Sequence, residues 1–230
     1  MNGLAPREAA LWEAQLRAEA LFEAVVAGGR IRAGVSESEL SDEIYALARE
    51  LHGVRRHWHR RIVRCGANTL CVYGEEPPER RIAEDDVVFL DFGPVFAGFE
   101  ADLGRSYVVG SDPDKQRLVA DIGRAFRAGQ ALYEAEPGLT AGALYDYVAG
   151  LAAAAGWAFG ADSAGHPVDA FPHERTPGAR LVIEHGNELP LRAPLPDGRP
   201  RHWILEIHFV DRARGYGAFC EELLTIRAPR

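Results

Sequence analysis

The stretch VVFLDFGPVFAGFEADLGRSYVV, residues 87–109, decides how this chain folds. Its two arms, VVFLDF and FEADLGRSYVV, carry the β-branched and aromatic bias of strands, and Gly98 punctuates the turn between them. A turn at Phe96-Ala97 makes the segment an antiparallel hairpin with Asp91 directly opposite Asp102. Cross-strand neighbours on one face have Cβ atoms about 4.5–5.5 Å apart. Two carboxylates held that close in an apolar sheet repel, so a shared proton or a bound divalent cation must compensate. At neutral pH the cation does so better. Acidic pairs on hairpins are ordinarily surface decoration, and the rest of the chain has to choose between these readings.

Helical periodicity flanks the hairpin on both sides. Residues 6–29 and 37–52 read as helices, the first with an apolar stripe through Leu11, Leu16, Leu21, Phe22 and Val25. The second opens on Ser36 with Glu39 three residues later, a capping box. Residues 55–71 read as extended. A second helical pair is expected at about 112–134 and 140–156, followed by short strands. The two pairs resemble each other at one constant offset: Gly34, Ser36, Leu40, Asp42, Ile44 and Ala48 align with Gly138, Thr140, Leu144, Asp146, Val148 and Ala152. Any two capped helices look somewhat alike. The sharper reading is a duplicated unit of two helices plus a β-hairpin, with two sheets meeting at a central cleft. The fold class is therefore α+β, with halves at about 6–110 and 111–230 of a single domain spanning 1–230. The proline-rich stretch 190–200 is a loop inside the second half, with Asp197-Gly198 as its turn.

Composition narrows the function classes. At 230 residues, 47% hydrophobic and 26% charged, the chain is that of a globular protein. A formal charge of −8 leaves no electrostatic footprint for nucleic acid. The three cysteines, Cys65, Cys71 and Cys220, lack CxxC spacing, which fits a reducing compartment and neither a disulfide framework nor a thiolate zinc site. No signal peptide or transmembrane run is read, so the expected location is the cytoplasm, with no membrane partner.

Three further segments supply metal-ligand residue types. Gly165-His166-Pro167 leads into Phe171-Pro172-His173-Glu174; the strand WILEIHFV carries Glu206; the terminal strand AFCEELLTI carries Glu221. Glu206 is flanked by large apolar residues, and carboxylates are rarely buried unpaired; an edge-strand glutamate facing water is the plain alternative.

In order and local context, Asp91, Asp102, His166, Glu206 and Glu221 resemble the signature of the pita-bread metallopeptidases: methionine aminopeptidase, aminopeptidase P and prolidase, with metal-free creatinase as a relative. The likeness runs from about residue 8 to the C-terminus. It implies a pita-bread fold and two divalent metal ions held by those five side chains, with Glu221 bridging. One imidazole and four carboxylates suit Mn²⁺ or Co²⁺, with Zn²⁺ or Fe²⁺ as alternatives. It further implies a metal-activated water, Glu206 as ligand and base, and His173 as donor to the substrate carbonyl. The substrate would be a short peptide cut at its N-terminal peptide bond, with proline as one option at the second position.

The chain departs from that pattern in places. Counting from Asn68 in GANTLCVYG, the family's other substrate-binding histidine falls at position 73, which is Tyr73. A phenol can donate a hydrogen bond but does not become a cation near neutral pH. Pro167-Val168-Asp169 stands where glycines are usual. His57, His59 and His208 are without an assigned role; a histidine of HWHRR could reach the cleft, but solvated or structural positions are expected. Phe159, Phe171, Trp203 and Phe219 are read as apolar pocket or as core. The N-terminal domain of prolidase and aminopeptidase P is not read here, so a more open site, or a homodimer whose partner subunit completes it, is expected. The competing function is a catalytically silent peptide-binding or interaction protein on the same fold, a reading that Tyr73 keeps alive.

Overall fold

The computed structural model describes residues 4–172 and 181–227. Two helices open the chain, α1 (Pro6–Ala27) and α2 (Glu37–His52), and two more stand at mid-chain, α3 (Pro113–Ala135) and α4 (Ala141–Ala154). The caps explain where the second of each pair starts. Ser36 Oγ accepts from Glu39 N–H at 3.2 Å while Glu39 Oε2 accepts from Ser36 N–H at 2.8 Å; Thr140 Oγ1 accepts from Ala143 N–H at 3.2 Å. At the far end of α2, Gly53 takes the left-handed conformation, φ 65°, that lets the helix stop. The equivalent positions Leu40 and Leu144, Ile44 and Val148, and Ala48 and Ala152 are all fully buried. The repeat read from the sequence is thus a repeat of packing faces.

The principal strands are β1 (Ile62–Cys65), β2 (Val87–Phe92), β5 (Leu103–Val108), β8 (His202–Asp211) and β9 (Tyr216–Leu223). Shorter ones are β3 (Val95–Phe96), β4 (Phe99–Glu100), β6 (Ala158–Phe159) and β7 (Pro167–Val168). They form one antiparallel sheet in the order β1-β2-β5-β9-β8-β6, with β7 on β8, and a separate β3–β4 ribbon. The expectation of two sheets meeting at a cleft is corrected: β5 pairs β9 at Gly104↔Glu221, so the strands of the two halves are continuous. The extended run expected over 55–71 is also interrupted. Only Ile62–Cys65 is strand, because Gly66 turns to φ 54° and opens a 3₁₀ turn, Gly66–Leu70.

Strand alternation gives the sheet two unlike faces. Val88, Leu90 and Phe92 pack with Leu21, Phe22, Leu40 and Ile44 of α1 and α2; Leu205, Ile207 and Phe209 pack with Leu118, Ile122, Leu144 and Val148 of α3 and α4. Both helix pairs therefore cover one face. The other, bearing Phe89, Asp91, Phe219, Glu221, Glu206 and His208, lines a cleft of about 680 Å³.

The hairpin register differs from the expected one. Val95 pairs Glu100, Phe96 pairs Phe99, and Asp91 pairs Gly104. The turn is Ala97-Gly98, with φ 50° and 85°, the two positive values of a type I′ turn. Asp102 is therefore a diagonal neighbour of Asp91 on the same face, two positions from its direct partner. Among the described residues, no helix is long and apolar enough to cross a membrane.

Candidate metal centre

Three acids reach the cleft along one transverse row of the sheet. Asp91 pairs Gly104, Gly104 pairs Glu221, and Glu221 pairs Glu206, so the row crosses β2, β5, β9 and β8. A glycine is needed between the first two acids. A Cβ at position 104 would lie 2.5 Å from the Phe219 ring and 2.8 Å from Glu221 Cβ. Asp102 joins from the residue before β5. His166 comes from above the sheet, where Gly165 takes φ 141° and a Cβ would lie 2.1 Å from the Ile204 carbonyl oxygen. That contact holds the chain against β8, and the His166 carbonyl accepts from Ile204 N–H at 2.8 Å.

His166 Nε2 lies 3.2 Å from Asp102 Oδ2 and 3.6 Å from Glu221 Oε1. The other oxygen of Asp102, Oδ1, lies 3.1 Å from His59 Nε2, itself 3.5 Å from Asp91 Oδ1. Two clusters result, His59–Asp91–Asp102 and Asp102–His166–Glu221, each with donor atoms within 4.8 Å of one another. Glu206 stands beside the second and accepts from Ser163 Oγ at 3.0 Å. Asp91, Asp102 and Glu221 are only 6%, 2% and 2% exposed, yet Asp91 Oδ1 and Glu221 Oε2 have no hydrogen-bond partner. Partnerless buried carboxylate oxygens are strongly unfavourable without a positive charge beside them. The donor set is oxygen-rich with imidazole, and it fits a divalent cation.

The electrostatics carry the same signature. Burial, opposed by His59 and His166 and reinforced by Asp102 and Glu206, lifts the Asp91 carboxyl to about 7. Burial also raises Glu206, and it drives Glu221 well above the carboxylate range, reinforced by Asp102 and Asp91. For Asp102 burial acts in the same sense, but His59 and His166 outweigh it and hold the group low. Burial opposes protonation of both rings as well. The carboxylates nevertheless hold His59 up to about 10 and His166 well above its ordinary value. The raised carboxyls and imidazoles report a buried site crowded with negative charge, which a bound divalent ion would relieve.

The four acids and one imidazole of the sequence signature thus converge in the cleft. Tyr73 stands at its mouth, 66% exposed, with its ring 6.1 Å from that of His59. His173 lies outside the described residues. Of the four aromatics weighed for the pocket, Phe219 lines the cleft, whereas Trp203 and Phe159 belong to the helix-side core. His208 is buried, its Nε2 2.8 Å from the Thr69 carbonyl oxygen, and His57 is packed beside Tyr45 and Phe92. His59 takes the less expected of its two readings and enters the cleft. The available signal was HWH entering the strand whose Ile62 pairs Asp91.

The profile of metallopeptidase family M24 matches residues 9–225. A Xaa-Pro dipeptidase of Lactobacillus helveticus is 29% identical over 174 residues, covering 74% of this chain and 46% of that protein. The chain spans about half the length of this curated relative. Among solved structures, Xaa-Pro dipeptidase from Bacillus anthracis superposes with a TM-score of 0.76 at 22% identity, over 99% of this chain and 62% of that one. Dipeptidase PepE from Mycobacterium ulcerans gives 0.74 at 26% identity, over 97% and 56%. Methionine aminopeptidase from Thermotoga maritima gives 0.71 at 18% identity, over 99% of both chains. The pita-bread fold is common to this chain and these structures.

Proposed function

The chain belongs to metallopeptidase family M24, and from that premise we propose that it hydrolyses the N-terminal peptide bond of short peptides, in the manner of an Xaa-Pro dipeptidase or aminopeptidase. Asp91, Asp102, His166, Glu206 and Glu221 would hold two divalent cations, with Mn²⁺ or Co²⁺ favoured by the hard donor set and Zn²⁺ or Fe²⁺ accommodated. Bound there, the ions would polarise the scissile carbonyl and lower the pKa of a shared water. The observation that carries this reading is the pair of partnerless buried oxygens, Asp91 Oδ1 and Glu221 Oε2, inside the converging cluster.

The chain's own groups do the rest. Glu206, oriented by Ser163 and raised by burial, takes a proton from the attacking water and delivers it to the leaving amine. Tyr73 donates to the peptide from the rim as a neutral phenol, and His173, by the family resemblance, is the second donor to the substrate carbonyl. Trp58, Phe89 and Phe219 wall the cleft with apolar surface that excludes water from the scissile bond. The free thiols Cys65, Cys71 and Cys220 support a reducing, cytoplasmic setting as part of the same proposal.

Metal analysis with a cleavage panel tests this. Protein loaded with Mn²⁺ or Co²⁺ is expected to cut dipeptides or tripeptides, Xaa-Pro sequences among them, and to lose that activity with chelator. Fully metal-loaded protein that leaves every peptide of the panel intact would return the chain to the silent binding module.

A further inference from the structure

The imidazole of His59 lies inside the carboxylate cluster, yet the five-residue ligand set leaves it without a task. Its side chain is 6% exposed. Nδ1 sits 2.7 Å from the carbonyl oxygen of Arg60. A carbonyl only accepts, so Nδ1 carries the hydrogen in this contact. In the neutral ring Nε2 is then a bare lone pair, and it faces Asp102 Oδ1 at 3.1 Å and Asp91 Oδ1 at 3.5 Å. Three acceptors aimed at one another repel unless a positive charge stands among them.

His166 repeats the arrangement. Its Nδ1 is 3.0 Å from the Pro167 carbonyl oxygen, and its Nε2 meets Asp102 Oδ2 at 3.2 Å and Glu221 Oε1 at 3.6 Å. In both cases the carbonyl of the following residue anchors the ring, and Asp102 turns one oxygen to each imidazole. Anchoring of this kind fixes the tautomer of metal-bound histidines and raises their basicity. Two donor atoms bound to a common ion at about 2.1 Å stand roughly 3.0–3.4 Å apart at octahedral or tetrahedral angles. The His59 separations fall close to that range.

The surroundings hold His59 in place. A Cβ at Gly93 would lie 2.2 Å from His59 Cδ2 and 2.4 Å from Trp58 Nε1, so the residue after Phe92 must be glycine for the ring to enter. The Trp58 ring packs on both imidazoles, at 4.6 Å and 5.3 Å between centroids, and its Nε1 donates to the Ala101 carbonyl at 3.0 Å. Asp91 Oδ1, buried and without a hydrogen-bond partner, points into the same space.

We propose that His59 is a sixth ligand of the metal centre, joining Asp91 and Asp102 so that each half of the centre has its own imidazole. The proposal rests on the metallopeptidase reading above and extends it. A second nitrogen donor shifts the Asp91 half toward Co²⁺, Zn²⁺ or Fe²⁺ and away from Mn²⁺.

Metal-free protein titrated with Co²⁺, followed by visible absorption and equilibrium dialysis, tests this in wild type, His59→Gln and the space-filling His59→Phe. Wild type is expected to take two equivalents. Both variants are expected to bind one of them about tenfold or more weakly, with a changed visible band. Wild-type protein with ¹⁵N-labelled histidine supplies a readout independent of how the variants fold. On adding Zn²⁺, the His59 Nε2 resonance should move to the metal-bound position. Variants that bind two equivalents at wild-type affinity would overturn the proposal and leave the metallopeptidase reading intact. So would an Nε2 that keeps its proton in the zinc-loaded enzyme, since His59 would then be a counter-charge. Wild type that takes up no metal would overturn both.

Discussion

Glu206 is the residue at which structure and chemistry pull hardest against each other. It stands directly opposite Glu221, a like-charge pair that destabilises adjacent strands, and its surviving hydrogen bond is from Ser163. Such a placement makes sense for a group whose task is to carry a proton. Glu206→Gln keeps the size and removes both the base and the charge repulsion with Glu221. We expect kcat to fall by about 10²–10⁴-fold, with the metal-free protein melting no lower than wild type. Steady-state kinetics and thermal melts of the same preparations check the two halves. Tyr73 is a milder case. Two-thirds exposed at the cleft mouth, it can offer a substrate one neutral hydrogen bond, about 0.5–1.5 kcal/mol. Tyr73→Phe should therefore lower kcat/KM by roughly two- to tenfold without changing the melting temperature. Kinetics identical to wild type would remove Tyr73 from the site.

At the scale of elements, close backbone approach decides where the candidate ligands stand. Gly165 lets β7 ride on β8, and any side chain there meets the Ile204 carbonyl at an impossible distance. Gly165→Ala should cost about 1–3 kcal/mol and displace His166. The check is a lower melting temperature together with weakened uptake of one metal equivalent; unchanged uptake would show that His166 is not held by this contact. The helices were legible in the sequence because their signals are local: Ser36 with Glu39, Thr140, and buried positions recurring through Leu40 and Leu144. The candidate ligands were legible as a set through their resemblance to the pita-bread signature; that Asp91, Glu206 and Glu221 share one face depends on the register that pairs β2, β5, β9 and β8. What stayed hidden is non-local. The hairpin turns at Ala97-Gly98, with a non-glycine residue at positive φ, which shifts every cross-strand partner and makes Asp91 oppose Gly104. The Glu206–Glu221 pairing joins strands with no shared sequence signal before the chain folds. For His59 the local signal is only HWH leading into β1, and its turn into the cluster depends on the pairing of β1 with β2.

At the scale of the whole molecule, both proton uptake and metal uptake couple to folding. His202, at the start of β8, is 3% exposed, and burial, aided by Arg7, pushes its pKa down to about 4. The unfolded ring titrates near 6.5, so between those values the unfolded state binds the extra proton. The neutral ring's contribution is complete above about pH 6.5 and is lost as pH falls toward 4, up to roughly 3 kcal/mol. The drop in urea-unfolding stability between pH 7.5 and 5 should shrink by a corresponding part in His202→Gln, and an unaltered drop would count against the burial argument. Metal acts more broadly, because its candidate ligands come from both halves: Asp91 and Asp102 around β2 and β5, Glu206 and Glu221 from β8 and β9. Ions that bind only the folded arrangement stabilise it by about 2.7 kcal/mol per site at a hundredfold excess over Kd. For a domain of this length each kcal/mol raises the melting temperature by about 2–4 °C, so one occupied site is worth roughly 5–11 °C. Chelator-treated protein should therefore melt lower than protein restored with Mn²⁺ or Co²⁺. Na⁺ at matched ionic strength should not replace them, and Asp102→Asn, which touches both clusters, should lose most of the difference. Equal melting temperatures with and without metal would mean that the buried acids are neutralised by protons alone.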